Sequence, residues 1–352
     1  MTELTDKIKK HLKAQLPFAV YCKPGASVVT GLFGSKKSIE HTNDLSNKGF
    51  VFAPFSGGEA VFLPAAECEV LTQHIDLPLA EISSAREFSV DANAKAAFEA
   101  LVGKCITAIK SNDFTKLVAS RTETVETGAD VTTIFRRLLP AYPNAFRYCF
   151  YSEMTGLWMG ATPEQLLQAN KGKIHTVALA GTQVYNVGIQ AVWPEKEQEE
   201  QQIVTDYITQ ALQESCTNIT ATSPYTFRAG NLAHIKTDIT AQLKNDIALS
   251  DVIKKLHPTP AVCGMPKDEA AVFLKENEGY NREFYSGFLG ELNTDFASGQ
   301  QDKSDLFVNL RCMKITGNTA QLFIGCGITK DSNPEKEFHE TVNKSITMRR
   351  VL

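Results

Sequence analysis

The sequence of 352 residues lacks the signatures of several large protein classes. It has no hydrophobic run long enough to cross a bilayer, and residues 1–15 are polar and amphipathic, with no signal-peptide core. Its eight cysteines are scattered, without a Cys-x-x-Cys pair or zinc-type spacing, and its seven histidines form no His-x-x-x-His pair. No Walker or Rossmann glycine pattern occurs. These absences favour a cytoplasmic protein without structural disulfides or a zinc site.

Charge of either sign is not in large excess. The formal net charge is −4, and no basic run or aromatic-basic stripe appears, so the sequence gives no indication of nucleic-acid binding. A composition of 43% apolar and 22% charged residues is typical of a globular protein with a large core. Because no low-complexity linker or internal repeat divides the chain, we expect residues 1–352 to form a single domain.

Short apolar runs predict strands, and longer amphipathic stretches predict helices. Strands are expected at 18–22, 27–33, 50–55, 60–63, 116–125, 146–152, 156–160, 165–169, 173–179, 284–293, 306–315 and 319–328. Helices are expected at 91–111, 131–140, 195–214, 249–256 and 268–275, and from 334 to the C-terminus. Hairpin-linked strands interrupted by helices are typical of an α+β fold with mainly antiparallel sheets.

Two Glu-x-x-Glu pairs suggest chemistry most directly. Glu197 and Glu200 lie in one predicted helix, and Glu337 and Glu340 lie in another. At this spacing both carboxylates of a pair share one helix face, so two converging helices would direct four carboxylates into one space. Four anions need a cation, and oxygen ligands suit Mg²⁺. The ordinary alternative is a solvated helix surface, since residues 195–202 are all charged or polar.

Two further ionisable residues are candidates for acid–base chemistry. Lys116 begins an otherwise apolar strand, and burial in a closed site would disfavour its charge and free it as a general base. Glu164 ends the segment Gly160-Ala-Thr-Pro-Glu164, which follows a strand, so its carboxyl group can face a cleft at the end of a sheet. The ordinary alternatives are an exposed lysine at a strand end and a carboxylate at a helix N-terminus.

Several segments could hold anionic groups. Arg311 lies in the apolar run 308–312, and a buried arginine in a strand needs an anion, for which a carboxylate offers a matching two-pronged geometry. The Gly-Cys-Gly sequence at 325–327 ends the last strand, and its backbone N–H groups could hold a second carboxylate. The small residues at 178–182 would let a ligand approach the backbone, or they form a plain turn.

In their order along the chain these segments resemble the motifs of the chorismate-utilising enzymes. The segments that carry the resemblance are Lys116…Ser-Arg121, Gly160-Ala-Thr-Pro-Glu164, Leu179-Ala-Gly-Thr182, Lys196-Glu-x-x-Glu200, Leu256-His-Pro-Thr-Pro-Ala-Val-Cys-Gly264, Arg282-x-x-Tyr285-x-Gly287, Leu310-Arg-Cys312, Gly325-Cys-Gly-Ile328 and Glu337-x-x-Glu-Thr-x-Asn-Lys344. The family comprises isochorismate synthase, salicylate synthase, anthranilate synthase component I and aminodeoxychorismate synthase component I. The resemblance covers residues 91–352, whereas residues 1–90 match only in general strand character.

The resemblance implies Mg²⁺ as cofactor and chorismate, a ring diacid, as substrate. It implies Glu200 and Glu340 as direct metal ligands, with Glu197 and Glu337 acting through metal-bound water. The substrate-binding residues that it implies are Ala180, Gly181, Thr182, His257, Arg311, Gly325, Cys326, Gly327 and Lys344. In this arrangement the ring carboxylate lies near Gly181, His257 faces the ring, and Arg311 helps to hold the enolpyruvyl carboxylate.

Two positions separate the members of the family, which differ in the nucleophile that arrives at C2 as the 4-hydroxyl departs. Ala180 stands where the aminodeoxychorismate synthases that this chain resembles carry a lysine, which attacks the ring. Lys116 stands where anthranilate synthases typically carry glutamine, and a lysine can deprotonate water. The resemblance therefore favours isochorismate synthase, with Lys116 as general base and Glu164 as general acid. The alternatives are salicylate synthase, then anthranilate synthase component I, and a non-catalytic protein that binds chorismate or metal.

On this interpretation chorismate is the only partner, with no nucleic acid, no membrane and no glutaminase subunit, and we expect a monomer. The product would enter menaquinone or siderophore biosynthesis. One departure from the family pattern is Glu291, which stands where many relatives carry an aromatic residue.

Overall fold

Two antiparallel β-sheets with helices on their outer faces make up the fold. The computed structural model describes residues 2–42, 44–75, 91–185, 191–229 and 232–352. Its helices are α1 (Thr2–Ala14), α2 (Ala92–Lys110), α3 (Val131–Ala141), α4 (Glu195–Gln213), α5 (Leu249–Leu256), α6 (Lys267–Asn277) and α7 (Pro334–Arg349). Its strands are β1 (Phe18–Cys22), β2 (Val28–Gly34), β3 (Glu40–Thr42), β4 (Gly49–Ala53), β5 (Ala60–Pro64), β6 (Cys68–His74), β7 (Lys116–Glu126), β8 (Phe146–Ser152), β9 (Gly156–Thr162), β10 (Gln165–Asn170), β11 (Lys173–Val184), β12 (Cys216–Ala221), β13 (Tyr225–Ala229), β14 (Leu232–Leu243), β15 (Gly264–Met265), β16 (Phe288–Leu292), β17 (Lys303–Val308), β18 (Cys312–Thr316) and β19 (Thr319–Ile328).

The strand order confirms the expected α+β fold with antiparallel sheets. The first sheet runs β15-β7-β19-β18-β9-β8-β1-β2-β6, and the second runs β12-β14-β11-β10-β17-β16-β4-β5-β3, with β13 also paired to β14. Many neighbours in each sheet are joined by hairpins, such as β8 with β9 and β10 with β11. The family resemblance and this topology therefore agree on the architecture.

An aromatic cluster lies between the two sheets and holds them together. The rings of Phe146 from the first sheet and Phe307 from the second stack at a centroid distance of 4.3 Å. Phe52 of the second sheet meets Phe150 of the first at 4.7 Å. Buried aromatic side chains contribute large apolar areas, and their mutual geometry adds to that burial. This aromatic packing thus holds the two sheets face to face.

The helices α4 and α7 carry the two Glu-x-x-Glu pairs and pack on different sheets. Helix α4 lies on β11 and β14 of the second sheet, whereas α7 lies on β19 of the first. Helix α7 begins at Pro334, and the Asn333 side chain accepts a hydrogen bond from the backbone N–H of Lys336 at 3.0 Å. Both pairs lie within the first two turns of their helices, where the helix dipole favours negative charge.

Two of the links that carry the chain from one sheet to the other are neighbours in space. One joins β9 to β10 and contains Glu164, and the other joins β17 to β18 and contains Arg311. Backbone hydrogen bonds tie both links to the adjacent strands: Val308 N–H donates to Glu164 O at 3.0 Å, and Ala161 N–H donates to Arg311 O at 3.0 Å. The two crossings therefore place a carboxyl group and a guanidinium of the sequence motifs near each other.

The second link corrects the prediction of one strand at 306–315. The structure has two strands, β17 and β18, which belong to different sheets. Arg311 adopts a left-handed backbone conformation with φ of 47°, which a continuous strand does not allow. Arg311 thus lies in a sharp turn between sheets, and the prediction that it lies inside a strand was wrong.

Other differences concern strands that the apolar pattern did not reveal. The predicted strand 284–293 is shorter, as β16 begins only at Phe288, and β6, β12, β13 and β14 were not predicted. The twelve-residue strand β14 alternates apolar with polar residues such as His234 and Lys236, so its pattern is less obvious than a continuous apolar run. No helix in the described ranges is long and apolar enough to cross a membrane.

Candidate active site

A cavity lies between the two sheets, bordered by both crossing links and by helices α4 and α7. Ten of the predicted site residues line it: Glu164, Ala180, Gly181, Thr182, Glu200, Arg311, Gly325, Cys326, Gly327 and Lys344. They come from segments far apart in the chain, and the fold brings them to one place. The residues that the sequence analysis treated as one site are therefore mostly neighbours in space.

Glu164 is buried in the wall of this cavity. Only 5% of the residue is exposed, and it lies in the link between β9 and β10 rather than at a helix N-terminus. Burial raises the pKa of Glu164 to about 7, although the positive charges of Lys116, Arg311 and Lys344 act in the opposite direction. A carboxyl group with this pKa is partly protonated at neutral pH and can donate a proton.

Lys116 is entirely buried, which excludes the alternative of an exposed lysine. Its Nζ lies 2.9 Å from Glu200 Oε1, close enough for an ion pair although its angles do not meet those of a hydrogen bond. Burial alone would raise the pKa of Glu200, but Lys116, Lys196 and Lys344 together outweigh burial and the pKa is lowered. Lys116 is not among the residues lining the cavity; it meets the cavity through the carboxylate of Glu200.

Gly327 lies directly against the carboxylate of Glu200. A Cβ atom at this position would stand 2.2 Å from Glu200 Oε1, so a side chain here would require the carboxylate to move. The missing side chain on β19 lets the carboxylate from α4 lie against the strand. The predicted role of the Gly327 backbone in anion binding stays a prediction.

The two Glu-x-x-Glu pairs converge, and lysines hold their carboxylates. Lys196 on α4 donates a hydrogen bond to Glu337 Oε1 on α7 at 2.6 Å. Lys344 lies 2.7 Å from Glu340 Oε1, one turn away on α7. Burial raises the pKa of Glu337, and the nearby Glu340 adds to this effect. Glu197 Oε2 is buried and has no hydrogen-bond partner among the residues that the structure describes.

The described residues contain no ready-made group of three or more histidine, cysteine, aspartate or glutamate side chains placed to hold a metal. The prediction that four carboxylates share one space is thus met only in part. The helices converge as expected, but Lys116, Lys196 and Lys344 are paired with three of the four carboxylates. A cation would have to compete with these lysines, and the metal assignment stays a prediction.

Arg311 supplies positive charge at the other side of the cavity. Burial lowers the pKa of its guanidinium, and Tyr285, Glu340 and Glu164 are near enough to counteract this. Within the described part of the chain, no carboxylate lies within ion-pair distance of its guanidinium. Lys344 donates to the carbonyl of Gly325 at 3.0 Å and so places its ammonium beside the same strand end. This arrangement can receive an anionic group.

His234 is a cavity residue that the sequence analysis missed. It is 5% exposed, and its Nδ1 lies 2.9 Å from the carbonyl oxygen of Gly181, which can only accept, so Nδ1 carries the proton. Burial, with a further effect of Arg311, lowers the pKa of His234 to about 3. Its Nε2 is buried without a partner among the described residues. The only local sign of such a role in the sequence is a histidine within a strand of mixed apolar and polar residues.

His257 was assigned to the substrate ring; the structure places it beside a different cavity, and the assignment stays a prediction. It lines a separate cavity with Pro54, Phe55 and Phe288, and is not among the residues that border the cavity of Glu164. Its Nε2 lies 3.2 Å from the Pro54 carbonyl oxygen, and burial lowers its pKa to about 4. The following residues Ala261 and Val262 do line the active cavity, so the motif is near the site although its histidine faces away.

Glu291, the departure from the family pattern, also lies away from the cavity. The hydroxyl of Tyr21 donates to Glu291 Oε1 at 2.5 Å, and Lys23 forms an ion pair with the same carboxylate. Glu291 is 1% exposed. Its charge is therefore compensated within the protein, and we assign it no contact with a ligand.

The comparisons with known proteins agree with this fold. The family model described as chorismate binding enzyme matches residues 66–352. The isochorismate synthase MenF of Bacillus subtilis (strain 168) is 30% identical over 245 residues, which cover 66% of this chain and 50% of the relative. The chain belongs to the chorismate binding enzyme family.

Two solved structures share the fold. The menaquinone-specific isochorismate synthase MenF from Escherichia coli superposes with a TM-score of 0.78 at 22% identity, covering 96% of this chain and 88% of that one. Anthranilate synthase component I from Streptococcus pneumoniae gives a TM-score of 0.67 at 18% identity, covering 94% and 90%. Since this chain spans about half the length of the Bacillus relative, the activity is argued from its own residues.

Proposed function

We propose that this protein is an isochorismate synthase, which converts chorismate reversibly to isochorismate. Water attacks C2 of the ring, and the 4-hydroxyl leaves with a proton. The reaction needs a base for the attacking water and an acid for the leaving group. No other reactant is consumed, because the proton taken from water balances the proton given to the leaving hydroxyl.

Glu164 is the observation that carries the proposal. A general acid must be protonated at the working pH and must border the substrate, and a buried carboxyl group with a pKa of about 7 in the cavity wall meets both conditions. An ordinary surface glutamate would be almost fully ionised at neutral pH. Glu164 is therefore our candidate for protonating the departing 4-hydroxyl.

Lys116 is our candidate for the base. In its ion pair with Glu200 Lys116 is an ammonium, which has no lone pair, so it must give up a proton to solvent before it can take one from the attacking water. Glu200 is also a proposed metal ligand. A cation that draws the Glu200 carboxylate toward itself would weaken its attraction for Lys116, which links the two proposed roles.

Magnesium is the proposed cofactor, and the residues present fit it. The orphaned, buried Glu197 Oε2 and the convergence of Glu200, Glu337 and Glu340 provide the hard oxygen donors that Mg²⁺ prefers. We propose that Glu200 and Glu340 bind it directly and that Glu197 and Glu337 act through water. Bound Mg²⁺ would supply the positive charge that holds the ring carboxylate of chorismate.

The remaining cavity residues would orient the diacid. We propose that Arg311, Lys344 and the backbone of Gly325, Cys326 and Gly327 receive the enolpyruvyl carboxylate. Ala180, which lines the cavity, offers no amine to attack the ring and leaves room for a small nucleophile. Water is therefore favoured over a lysine nucleophile, and no glutaminase subunit is needed to deliver ammonia.

A product analysis tests the proposal. We expect purified protein with chorismate and Mg²⁺ to give a mixture of chorismate and isochorismate that is the same from either direction, without ammonium. Glu164→Gln, with the same shape but no acidic proton, is the matched control and should give no such mixture. Stoichiometric salicylate and pyruvate would instead favour salicylate synthase, and anthranilate formed from ammonium would exclude both functions.

The biological setting is a further part of the proposal. The Escherichia coli structure is named menaquinone-specific, and this name supports menaquinone biosynthesis here, with siderophore biosynthesis as the second possibility. We propose a cytoplasmic monomer. The eight cysteines are all free thiols, which agrees with a reducing compartment.

A further inference from the structure

Lys196 is the one lysine that bridges the two helices of the Glu-x-x-Glu pairs within the described ranges. We propose that Lys196 is a built-in counter-ion of the metal site: its ammonium holds Glu337 until a divalent cation displaces it, and so weakens the binding of that cation. This inference rests on the proposed function only in assuming that a divalent cation binds between α4 and α7. It assigns Lys196 a role in metal affinity and none in the chemical step.

The contact itself is strong because Glu337 has little access to water. Glu337 is 3% exposed, and Lys196 Nζ donates to its Oε1 at 2.6 Å. A buried carboxylate without a cation pays a large desolvation penalty, so Glu337 needs a positive partner in every state of the protein. In the absence of a metal, Lys196 is that partner.

The side chain of Lys196 is also able to leave. It is 23% exposed and stands at the start of α4, so its flexible four-carbon stem can carry the ammonium out to water. The other two lysines are less able to leave. Lys116 is fully buried, and Lys344 is 13% exposed and also donates to the Gly325 carbonyl.

Charge balance gives a second reason for the exchange. The four carboxylates and the three lysines Lys116, Lys196 and Lys344 together leave one formal negative charge. If Lys196 moves into solvent, the remaining groups carry two negative charges, which one divalent cation neutralises. If Lys196 stayed, the same cation would leave the cluster positively charged. The structure therefore favours exchange of one ammonium for one divalent cation over simple addition.

The test compares the affinity of Mg²⁺ for wild-type protein and Lys196→Met, measured by calorimetric titration without substrate. Methionine keeps the length of the side chain and removes its charge. We expect Mg²⁺ to bind about tenfold more tightly to the variant, within the range usual for coupled sites. The metal-free variant should melt at a lower temperature than wild type, and saturating Mg²⁺ should raise its melting temperature more.

Two controls and one substitute variant define the outcome. Lys196→Arg keeps a cation and should retain the wild-type affinity. Lys314→Met removes a lysine of similar exposure, 25%, which is paired with Glu283 at 2.6 Å outside the cavity, and should leave Mg²⁺ affinity unchanged. If Lys196→Met does not fold, Lys196→Gln, which keeps a donor for Glu337, serves in its place.

The results separate this inference from the proposed function. Tighter binding in the neutral variant supports the counter-ion role. Unchanged or weaker binding, with wild type binding Mg²⁺ normally, overturns that role and leaves the metal site intact. No Mg²⁺ binding to either protein overturns the inference together with the proposed cofactor.

Discussion

Two buried clusters of carboxylates and lysines occur in this molecule, and only one of them borders the active cavity. The site cluster consists of Glu197, Glu200, Glu337, Glu340, Lys116, Lys196 and Lys344. The sealed cluster consists of Glu291, Asp295, Asp305, Lys23 and Lys303. Both are built from the same residue types, and both join the first sheet or its helices to the second. They differ in how fully their oxygens are engaged.

The oxygens of the sealed cluster accept many hydrogen bonds from the protein. Asp295 accepts from Lys303 at 2.6 Å, from Lys23 at 3.0 Å, and from the backbone N–H groups of Ala297 and Ser298. These contacts lower the pKa of Asp295 far below its usual range, against the opposing effect of burial. Such a cluster fastens the strands that it joins and has little capacity for a ligand.

The site cluster, by contrast, leaves acceptors unused beside a cavity. Among the described residues Glu197 Oε2 is buried without a partner, as is Nε2 of the neighbouring His234, and burial leaves Glu164 in the cavity wall with a pKa of about 7. Buried polar groups without partners are costly, so a protein retains them where a ligand or a reaction uses them. Glu291 Oε2 of the sealed cluster also accepts no hydrogen bond among the described residues, but it is ion-paired with Lys23. Groups with neither a hydrogen bond nor an ion pair, rather than the number of buried charges, therefore distinguish the active cavity from the sealed cluster.

The largest expected effect of breaking the site cluster is loss of turnover in Glu340→Ala. This change removes a proposed direct metal ligand, while Lys344 keeps the Gly325 carbonyl as a partner. We expect no measurable isochorismate formation and a melting temperature near that of wild type. Glu200→Ala should likewise lose activity, but with lower stability, because Lys116 would remain buried and unpaired. Wild-type turnover with unchanged magnesium dependence in Glu340→Ala would contradict the metal assignment.

The acid–base pair should show the next largest effect. Glu164→Gln and Lys116→Ala should each lower turnover by about 10²–10⁴-fold, the usual contribution of a general acid or base. Affinity for chorismate, measured by equilibrium binding, should change far less in Glu164→Gln, because glutamine keeps the shape of the side chain. If saturating substrate restored turnover in either variant, that residue would hold substrate without transferring a proton.

Breaking the sealed cluster should lower stability and leave the chemistry intact. Glu291→Ala leaves Lys23 short of one buried partner and removes the acceptor of the Tyr21 hydroxyl. Loss of one partner of a buried pair costs about 3–5 kcal/mol of unfolding free energy, which denaturant titration measures. Turnover per folded molecule should equal that of wild type. A specific loss of turnover at full folding would show that Glu291 belongs to the active site after all.

The comparison also shows which features the sequence predicts. The Glu-x-x-Glu pairs and their helices were predicted because helical spacing acts within one or two turns. The closed β8–β9 and β10–β11 hairpins were predicted for a similar reason, as apolar runs bounded by turn residues are local. Such features need no knowledge of the rest of the chain.

The features that the sequence did not predict depend on tertiary structure. Arg311 looks like a strand residue because its neighbours are apolar, and only the crossing between two sheets places it in a turn. His257 belongs to a motif near the site, but its side chain faces another cavity, a choice that no local pattern encodes. Similarly, the lysines that neutralise the carboxylates come from β7, α4 and α7, so their pairing is invisible in the linear sequence.

The pH dependence of stability should separate Glu164 from the sealed cluster. Burial raises the pKa of Glu164 from 4.5 to about 7, so the folded protein keeps a proton that the unfolded chain loses. This contribution to stability is fully present below pH 4.5 and is lost as the pH rises through 7, by about 3 kcal/mol. Glu164→Gln should remove this slope between pH 4.5 and 7, as measured by denaturant titration at each pH.

The Glu291→Gln variant is the matched control for that pH series, since it neutralises a buried carboxyl group of the sealed cluster. It should leave the Glu164 part of the slope in place. A wild-type slope in Glu164→Gln would show that Glu164 is ionised like an ordinary glutamate. The proposed general acid would then lack its physical basis.

The smallest expected effect concerns the two histidines, which sharpens the contrast between the active cavity and its neighbour. His257 faces the separate cavity beside Pro54 and Phe288, so His257→Ala should keep turnover near the wild-type value. His234 holds the Gly181 carbonyl through Nδ1 and presents Nε2 inside the active cavity, so His234→Ala should lower turnover clearly. Steady-state kinetics with chorismate measures both.

Because both histidines are buried and neutral, their burial alone would affect stability in the same direction. A difference in turnover therefore reports position relative to the substrate, and equal losses in both variants would return His257 to the active site.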